Sequence, residues 1–451
     1  MQRTEQQLIK PNDKNFKAID RICRLAKTVY NCANYLMRES FFAGQIISWE
    51  KADQFVGRGL QRHDAYHQIP NAMSQQIIRR LGSDWKSYFL AMAEYRIAPE
   101  KFLGKPKMPG YAKKSKMAVM PFQHLSCVDS EIIFPKKTGI SPIKIHCCAN
   151  QPLKAKGDEK VITEIRFIPR GNCFWFEVAY TISDKKQKEK RSILLDKKKH
   201  LGIDLGINNL ATIVSDQPGF RPVLINGKTV KSVNHLYNKD AAVLRSKGHW
   251  DMLKTRGLKR SCWMNDHFHK VSRHVIGLCL KNDIGSIVIG YNKGWKDGIN
   301  IGAVNNQKFG NVPHMKLVEQ IQYKAEEYGI TVILREESYT SKASALDLDP
   351  VPTYDPKSKV AHIFTGKRVK RGLYKTGKGQ LVNADVNGAL NILRKEIGNG
   401  FVQALADEGA VLRPMRVDVK YKKPALEGKY LATVPRFGFS QNQAPTTALC
   451  A

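Results

Sequence analysis

The sequence predicts an α/β protein of two or three domains, one of which contains a sheet of mixed strand direction. The 451-residue length exceeds one small domain, since a domain averages roughly 150 residues. Apolar residues first recur at helical spacing, then alternate as in short strands, and after residue 201 form apolar strands that alternate with helices. Strands that alternate with helices predict an α/β sheet, as in RNase H-like folds.

The N-terminal domain is expected to combine helices with a small β-barrel. Helical spacing predicts helices over 18–42 and 72–95. From about 118 to 183 apolar residues alternate around a Pro-Arg-Gly-Asn turn, which predicts short strands that close into a barrel. A charged run, 184–200, ends the domain. We therefore expect a domain over 1–200, with a helical lobe over about 15–117.

The second domain should occupy 201–341 and 383–400, with an insertion over 342–382. The tail, 401–451, has weak periodicity and is expected to be loosely ordered. Pro313 suits a helix start, where its missing N–H has no consequence. The predicted strands are 201–209, 210–214, 223–225, 286–290 and 330–336. Helical segments are predicted from about 240 to 281, and further helices over 313–328 and from near 385.

The charge of the chain indicates a polyanionic partner. Lys and Arg number 74 against 40 Asp and Glu, which gives a formal net charge of +34 and a pI near 9.8. Basic residues that neutralise phosphates release counterions, and this release supplies most sequence-independent affinity for nucleic acid. A membrane surface and a merely soluble basic surface are the alternatives. The N-terminus has no apolar segment, and no stretch approaches ~20 continuous apolar residues, so we expect a cytosolic protein with no membrane partner.

The cysteines give no sign of zinc or disulfide frameworks. Nine cysteines are present, and none forms a CxxC pair. A zinc ribbon and a secreted disulfide scaffold both depend on such regular spacing. No zinc is expected.

The first candidate site residue is Asp204, in the string LGIDLGINNLAT. A buried strand tolerates a single carboxylate when it is paired or bound to a metal, and the nearby Gly206 allows a ligand to approach the backbone. Two alternatives remain open: a strand-end aspartate that caps a turn, and the phosphate loop of the actin and sugar-kinase fold.

The second candidate is Asp385, in the string LVNADVNGALNILRK, where Asn383 or Asp385 lies at a helix entrance. Capping of the helix N-terminus explains Asp385 by itself. Together with Asp204, however, a carboxylate at this place can hold two divalent ions, Mg²⁺ or Mn²⁺, about 3.5–4 Å apart for phosphodiester hydrolysis.

A third acid is expected at the end of an apolar strand, where VILREESYTSKAS offers Glu336 and Glu337. Adjacent strand residues point to opposite faces, so only one can enter the site unless the strand has already ended. The other should be solvated or paired with a nearby lysine.

In their order, the strings GIDLGINNLAT, EESYTSKAS and NADVNGALNILRK resemble TnpB, the RNA-guided nucleases of bacterial insertion sequences, ancestral to type V CRISPR effectors. The resemblance covers most of the chain. It implies a RuvC-type nuclease domain with an RNase H-like fold, and an N-terminal wedge β-barrel with a helical recognition insertion. It also implies a guide RNA, transposon-derived or CRISPR-like, and double-stranded target DNA with a short flanking motif, in the bacterial cytosol or nucleoid.

Two further segments, GKPKMPGYAKK and NDHFHKVSRHVI, look like nucleic-acid-facing parts of that family. The basic stretch GKRVKRGLYKTGKGQ lies in the insertion. Solvated basic loops are the alternative for both the first segment and this stretch. The candidate contacts are Lys105, Lys107, Tyr111, Lys113, Lys114, His269, Lys270, Arg273, Lys367, Arg368, Lys370 and Arg371.

The sequence departs from the family pattern at two places. Where most members carry the RuvC glutamate, after the strand SIVIG, this chain has Gly290. We expect a glutamate of the 336–337 pair to replace it as a catalytic metal ligand beside Asp204 and Asp385. Glu337 is favoured because it adjoins SYTSK, where the strand ends, and Glu336 is the alternative. Between 341 and 383 the four-cysteine zinc knuckle of the family is missing. Gly290 also leaves open a nuclease-inactive, RNA-guided DNA-binding protein.

Overall fold

The structure is a computed structural model with two lobes, each built on a sheet and its own hydrophobic core. None of its described helices is long and apolar enough to cross a bilayer. The described residues are 2–45, 51–60, 63–113, 120–122, 126–146, 160–182, 193–291, 312–354 and 361–419.

The N-terminal lobe contains an antiparallel sheet of order β1-β7-β6-β2 and a smaller sheet of β3, β4 and β5. Phe167 and Phe176 lie opposite each other on β6 and β7, with ring centroids 5.3 Å apart. In the described residues neither sheet closes on itself, so the β-barrel stays a prediction. The strands are β1 (Gln2–Ile9), β2 (Met120–Phe122), β3 (Ser126–Val128), β4 (Glu131–Ile133), β5 (Ile143–Lys144), β6 (Lys160–Arg170) and β7 (Cys173–Ile182).

Two long helices cover this sheet, as the apolar spacing predicts. Helix α1 buries Ile19, Ile22, Ala26 and Val29, which recur every three or four residues and so share one face. Trp85 packs between the helices, and its indole N–H donates to Asn34 Oδ1 at 3.1 Å. The helices are α1 (Phe16–Phe42), α2 (Ala52–Leu60), α3 (Asp64–His67) and α4 (Asn71–Ile97).

The second lobe has the expected sheet of mixed direction, in the order β12-β11-β8-β9-β10. Strand β9 runs antiparallel to β8 and β10, whereas β8, β11 and β12 are parallel. The elements are β8 (Asp196–Leu205), β9 (Asn209–Ser215), β10 (Val223–Asn226), α5 (Lys228–Ser246), α6 (Trp250–Lys281), β11 (Ile284–Gly290), α7 (His314–Glu327) and β12 (Thr331–Arg335).

Three predicted boundaries in this lobe are wrong. The helical stretch expected from about 240 begins at Lys228, directly after a turn in which Gly227 N–H donates to Asn208 O at 2.8 Å. The sheet begins before Leu201, because the charged residues ahead of it extend β8 until Asp196 pairs with Ile284. The strand expected over 201–209 ends at Leu205, because the chain turns there and Gly206 N–H donates to Leu210 O at 3.3 Å.

The insertion and the C-terminal region complete the second lobe. Helix α8 packs on one face of the sheet, and α6 and α7 pack on the other. Residues of β8 alternate between the faces: Ile203 joins the α6–α7 core, whereas Asp204 faces α8. The remaining elements are β13 (Lys367–Lys370), β14 (Leu373–Lys375), β15 (Leu381–Asn383), α8 (Ala384–Ile397), α9 (Val402–Glu408) and β16 (Met415–Val417).

The expectation of a loosely ordered tail from 401 is wrong for 402–417. Strand β16 adds to the sheet by pairing with β10, so that Met415 lies opposite Val223. Val402 and Leu405 are buried in the core beneath α8. These segments are too short to show a clear apolar period, and contacts with distant parts of the chain stabilise them. Residues 420–451 lie outside the described part.

Candidate active site

Asp204 lies on β8 where helix α8 crosses the sheet closely. A Cβ placed on Gly388 of α8 would be 2.9 Å from Asp204 Oδ2. Any side chain at 388 would therefore displace the carboxylate. The contact with α8 argues against the turn-capping alternative for Asp204.

Asp385 is in the first turn of α8, one turn before Gly388. The helix cap is Asn383, whose Oδ1 accepts hydrogen bonds from the backbone N–H of Asp385 and Val386 at 3.0 and 3.2 Å. Capping therefore does not explain Asp385. Its Oδ2 accepts a 2.7 Å hydrogen bond from Asn209 Nδ2, and its Oδ1 lies 3.6 Å from Arg368 Nη2.

The structure separates Glu336 from Glu337. Glu336 Oε2 accepts from Lys395 Nζ at 2.6 Å, and its Oε1 accepts from Ser338 N–H at 2.6 Å. Glu337 points the other way, toward Gly290. A Cβ on Gly290 would be 2.7 Å from Glu337 Oε2 and 2.5 Å from Ile392 Cδ1. The space where a side chain at 290 would begin is therefore filled by the Glu337 carboxylate.

Electrostatic coupling links the three acids. Burial raises the pKa of Asp204 well above its usual range, and the charges of Glu337 and Asp385 raise it further. Burial also raises the pKa of Glu337 to about 7, with a smaller contribution from Glu336, while Lys395 opposes the rise. Carboxylates that share a poorly solvated site disfavour one another's charge, and a cation relieves this.

The donor set fits a hard divalent cation. Asp204, Asp385 and Glu337 offer oxygen donors, which suit Mg²⁺ or Mn²⁺ better than soft thiolate metals. Within the described ranges, no three acidic, histidine or cysteine side chains are close enough to hold one ion together as they stand. Asp385 is turned toward Asn209 and Arg368 instead.

The basic segment before residue 114 is held against α1. Asn31 Nδ2 donates to Ala112 O at 3.1 Å, and Asn31 Oδ1 accepts from Ala112 N–H at 2.8 Å. Asn34 Nδ2 donates to Pro109 O at 3.0 Å. These bonds argue against a freely solvated loop. Lys114 lies outside the described residues, and the side chains exposed by this segment are Lys105, Lys107, Tyr111 and Lys113.

The candidates on α6 differ from one another. Burial, reinforced by Lys324, lowers the pKa of His269 to about 4, and its Nδ1 lies 3.2 Å from Tyr323 Oη. The prediction of a phosphate contact at His269 is therefore not supported, because a neutral ring with an internal partner offers no cation. Lys270 is paired with Asp266 at 2.5 Å, whereas Arg273 is exposed.

The insertion presents its basic residues on two sides. Lys367, Lys370 and Arg371 are exposed. Arg368 is exposed as well, but it reaches Asp385 and lowers the pKa of Asp204 against the larger effect of burial. An arginine predicted only as a phosphate contact thus lies beside the carboxylates.

Three residues at the site were not singled out from the sequence. Asn209 orients Asp385, and Lys395 pairs with Glu336. His314 Nε2 donates to Gly206 O at 3.0 Å, which ties the start of α7 to the turn after Asp204. Asn209 and Lys395 stand in the strings quoted for Asp204 and Asp385, so their positions were the available signals.

Comparisons with known proteins match the chain in two segments. Residues 180–296 match a family described as probable transposase, OrfB_IS605. Residues 314–392 match a family described as Cas12f1-like, TNB domain. These segments include Asp204, Glu337 and Asp385.

Two curated proteins are similar over longer stretches. The TnpB-like protein ORF457 of Acidianus two-tailed virus is 24% identical over 425 residues, which cover 86% of this chain and 85% of that protein. The CRISPR-associated endodeoxyribonuclease Cas12f1 of Sulfoacidibacillus thermotolerans is 24% identical over 237 residues, 49% of this chain and 50% of that protein.

Solved structures show weaker likeness. A Cas12f1–sgRNA–target DNA complex aligns with 87% of this chain and 98% of its own, at 15% identity and a TM-score of 0.34. The mini-RNA-guided endonuclease Cas phi3 aligns with 87% of this chain and 92% of its own, at 9% identity and a TM-score of 0.41. Scores this low carry no argument, so the assignment rests on the sequence matches. The two matched segments and the two curated relatives together support a TnpB-family protein.

Proposed function

We propose that this chain is an RNA-guided DNA endonuclease that cuts target DNA at a RuvC-type site formed by Asp204, Asp385 and Glu337. The observation that carries the proposal is that the charges of Glu337 and Asp385 both act on the buried Asp204, with the Glu337 carboxylate in the space beside Gly290. The similarity to TnpB-like and Cas12f1 proteins supports a nuclease, because one of these relatives is an endodeoxyribonuclease.

The proposed cofactor is a pair of Mg²⁺ or Mn²⁺ ions held by the three carboxylates. Such ions supply an activated water and stabilise the charge that develops on the phosphate. Gly388 lets α8 approach Asp204, and Asp385 would turn from Asn209 and Arg368 to join the shared ions. Arg368 adds a positive charge at the same place, which suits a phosphodiester.

The proposed partners are a guide RNA and double-stranded DNA with a short flanking motif. In this mode base pairing reads the target, and the protein reads duplex shape and the short motif. The net charge of +34 supports both polyanionic partners. A cytosolic location remains part of the proposal.

Two alternative readings are less favoured. A nuclease-inactive binding protein does not explain why Glu337 takes the position beside Gly290. A phosphotransferase of the actin and sugar-kinase type gives no reason for the charge of the chain.

The test is cleavage by protein purified with its co-expressed RNA, whose guide is read by small-RNA sequencing. Asp204→Ala should abolish Mg²⁺-dependent cutting of the guided target and leave guided binding intact, because one ligand is lost while the basic surface is unchanged. Mn²⁺ binding, measured by calorimetry, should weaken in parallel.

A matched control is Asp283→Asn. Asp283 lies beside the opposite end of β8, where it contacts Lys199 and has φ +55°, a conformation that asparagine tolerates. This variant should cut like the wild type. Cutting by Asp204→Ala, or failure of the wild type to cut any guided target in Mg²⁺, refutes the nuclease proposal.

A further inference from the structure

A layered group of side chains on α1 lies outside the carboxylate site. The Arg38 guanidinium is 5.2 Å from the ring centre of Tyr111 and 5.9 Å from that of Phe42. Its Nη1 also donates to Pro109 O at 2.9 Å. The cation is therefore fixed against two aromatic rings, and we call Phe42, Arg38 and Tyr111 the α1 platform.

The rings of the α1 platform are exposed to solvent. Phe42 is 63% exposed and Tyr111 is 48% exposed. Tyr35, 52% exposed, lies on the same helix face, since positions 35, 38 and 42 are three and four residues apart. The adjacent Phe41 instead packs against another side chain of the lobe, since its ring centroid is 5.5 Å from that of Trp85. Aromatic side chains clustered at the surface are a feature of binding sites.

The α1 platform is rigid before any ligand binds. Asn31 and Asn34 hold the backbone that carries Tyr111, and α1 is anchored by its buried face. A ligand that stacks here therefore loses little free energy to ordering of the protein.

The charge around the α1 platform suits a phosphate backbone. Lys105, Lys107 and Lys113 are exposed on the segment that carries Tyr111. Glu39, exposed next to Arg38 on the helix, is the opposing charge. Aromatic faces combined with a basic track are how proteins bind single strands without sequence preference, because every base has a flat face.

We propose that the α1 platform stacks an unpaired base of single-stranded nucleic acid, while the neighbouring lysines contact the flanking phosphates. The proposal rests on the nucleic-acid partner of the proposed function, but not on the carboxylates. The α1 platform is a binding site in the helical lobe, separate from the carboxylate site.

The test uses oligonucleotides that carry 2-aminopurine, whose fluorescence is quenched on stacking. Full-length protein is titrated in EDTA, so that cutting does not interfere. Phe42→Ala and Tyr111→Ala should each remove most of the quenching and weaken binding by roughly tenfold, as expected for one lost base stack. Arg38→Lys should also reduce quenching, because lysine keeps the charge but lacks the flat guanidinium.

The matched control is Leu90→Ala on α4, since Leu90 is equally exposed, at 62%, and lies outside the platform. It should leave quenching and affinity unchanged. Parallel titrations with RNA and DNA strands show which one occupies the site, and quenching by either supports the proposal. Absence of quenching with both strands, or unchanged quenching in Phe42→Ala/Tyr111→Ala, overturns it. Quenching by a wild type that never cuts leaves the platform standing and refutes only the nuclease proposal.

Discussion

At the scale of single residues, two glycines make room for two of the three carboxylates. Gly388 gives Asp204 room beneath α8, and Gly290 gives Glu337 room beside β11. A glutamate at 290 would overlap Ile392 and Glu337 in this arrangement. The departure from the family pattern at 290 and the acid at 337 are thus two parts of one steric arrangement.

Glu337→Gln and Glu336→Gln should behave unequally. We expect Glu337→Gln to slow guided cleavage by roughly a hundredfold or more, because even partners outside the ligand set are worth about 10–100-fold. Glu336→Gln should stay near wild type, since Glu336 faces Lys395. Cleavage rates together with Mn²⁺ affinity provide the measurement. Equal rates for both variants and the wild type contradict the relocated glutamate.

At the scale of elements, two aspartates join the loops of the insertion. Asp347 Oδ2 accepts from Ser344 Oγ and Gly377 N–H, both at 2.5 Å. Asp349 Oδ2 accepts from the N–H groups of Ser344 and Thr365, at 2.8 and 3.0 Å. Three separate stretches of chain are connected in this way by carboxylates, where the family usually has a zinc knuckle.

We expect the purified protein to hold no stoichiometric zinc, because described residues of the insertion include no cysteine. Elemental analysis measures this directly, and one zinc per chain would contradict it.

Asp349→Asn should lower the free energy of unfolding by about 1–3 kcal/mol, since the neutral amide loses the charge that strengthens the hydrogen bonds from the N–H groups of Ser344 and Thr365. The exposed Asp407→Asn serves as control. An unchanged free energy of unfolding in Asp349→Asn contradicts this prediction.

The packing of α6 on α7 predicts a pH dependence of stability. Lys324 is 5% exposed and donates to His269 O at 2.9 Å and Ser272 Oγ at 2.5 Å. Burial, with Arg273 and Arg3 nearby, lowers its pKa from 10.5 to about 7. The unfolded chain therefore binds more protons than the folded chain between these values, so this lysine destabilises the fold below pH 7 and less so as pH rises toward 10.5.

Lys324→Met removes that titration. The melting temperature of the variant minus that of the wild type should be largest near pH 6 and should fall toward pH 10. Thermal unfolding at several pH values measures it, with the exposed Lys254→Met as control. A difference that does not vary with pH contradicts a depressed pKa for Lys324.

At the scale of the whole molecule, basic charge is spread over both lobes. It includes the segment before 114 in the first lobe and Lys367, Lys370 and Arg371 in the insertion. The formal charge of +34 is far larger than solubility requires.

Affinity for target DNA should fall steeply with salt. If six or more phosphates are neutralised, we expect a loss of roughly a thousandfold or more between about 50 and 200 mM salt. Reversing Lys367, Lys370 and Arg371 to glutamate should make the slope of log K against log salt shallower, because each phosphate contact contributes about one unit. Filter binding over a salt series measures both. A salt-independent affinity contradicts a polyanionic partner.

The sequence by itself determined the α/β class, the mixed sheet and the positions of Asp204, Asp385 and the acidic pair. Strand and helix periodicity, turn residues and isolated acids in apolar strings are local features, so they can be read along the chain. The long helices of the first lobe were predictable for the same reason.

Only the tertiary structure decided which residues meet. It separated Glu337 from Glu336, turned Arg368 to the carboxylates, placed His269 among internal partners and brought β16 into the sheet. These outcomes depend on the packing of α8 across β8 and β11 and on pairing between distant strands. Contacts of this kind join residues far apart in the chain, and no local pattern encodes them.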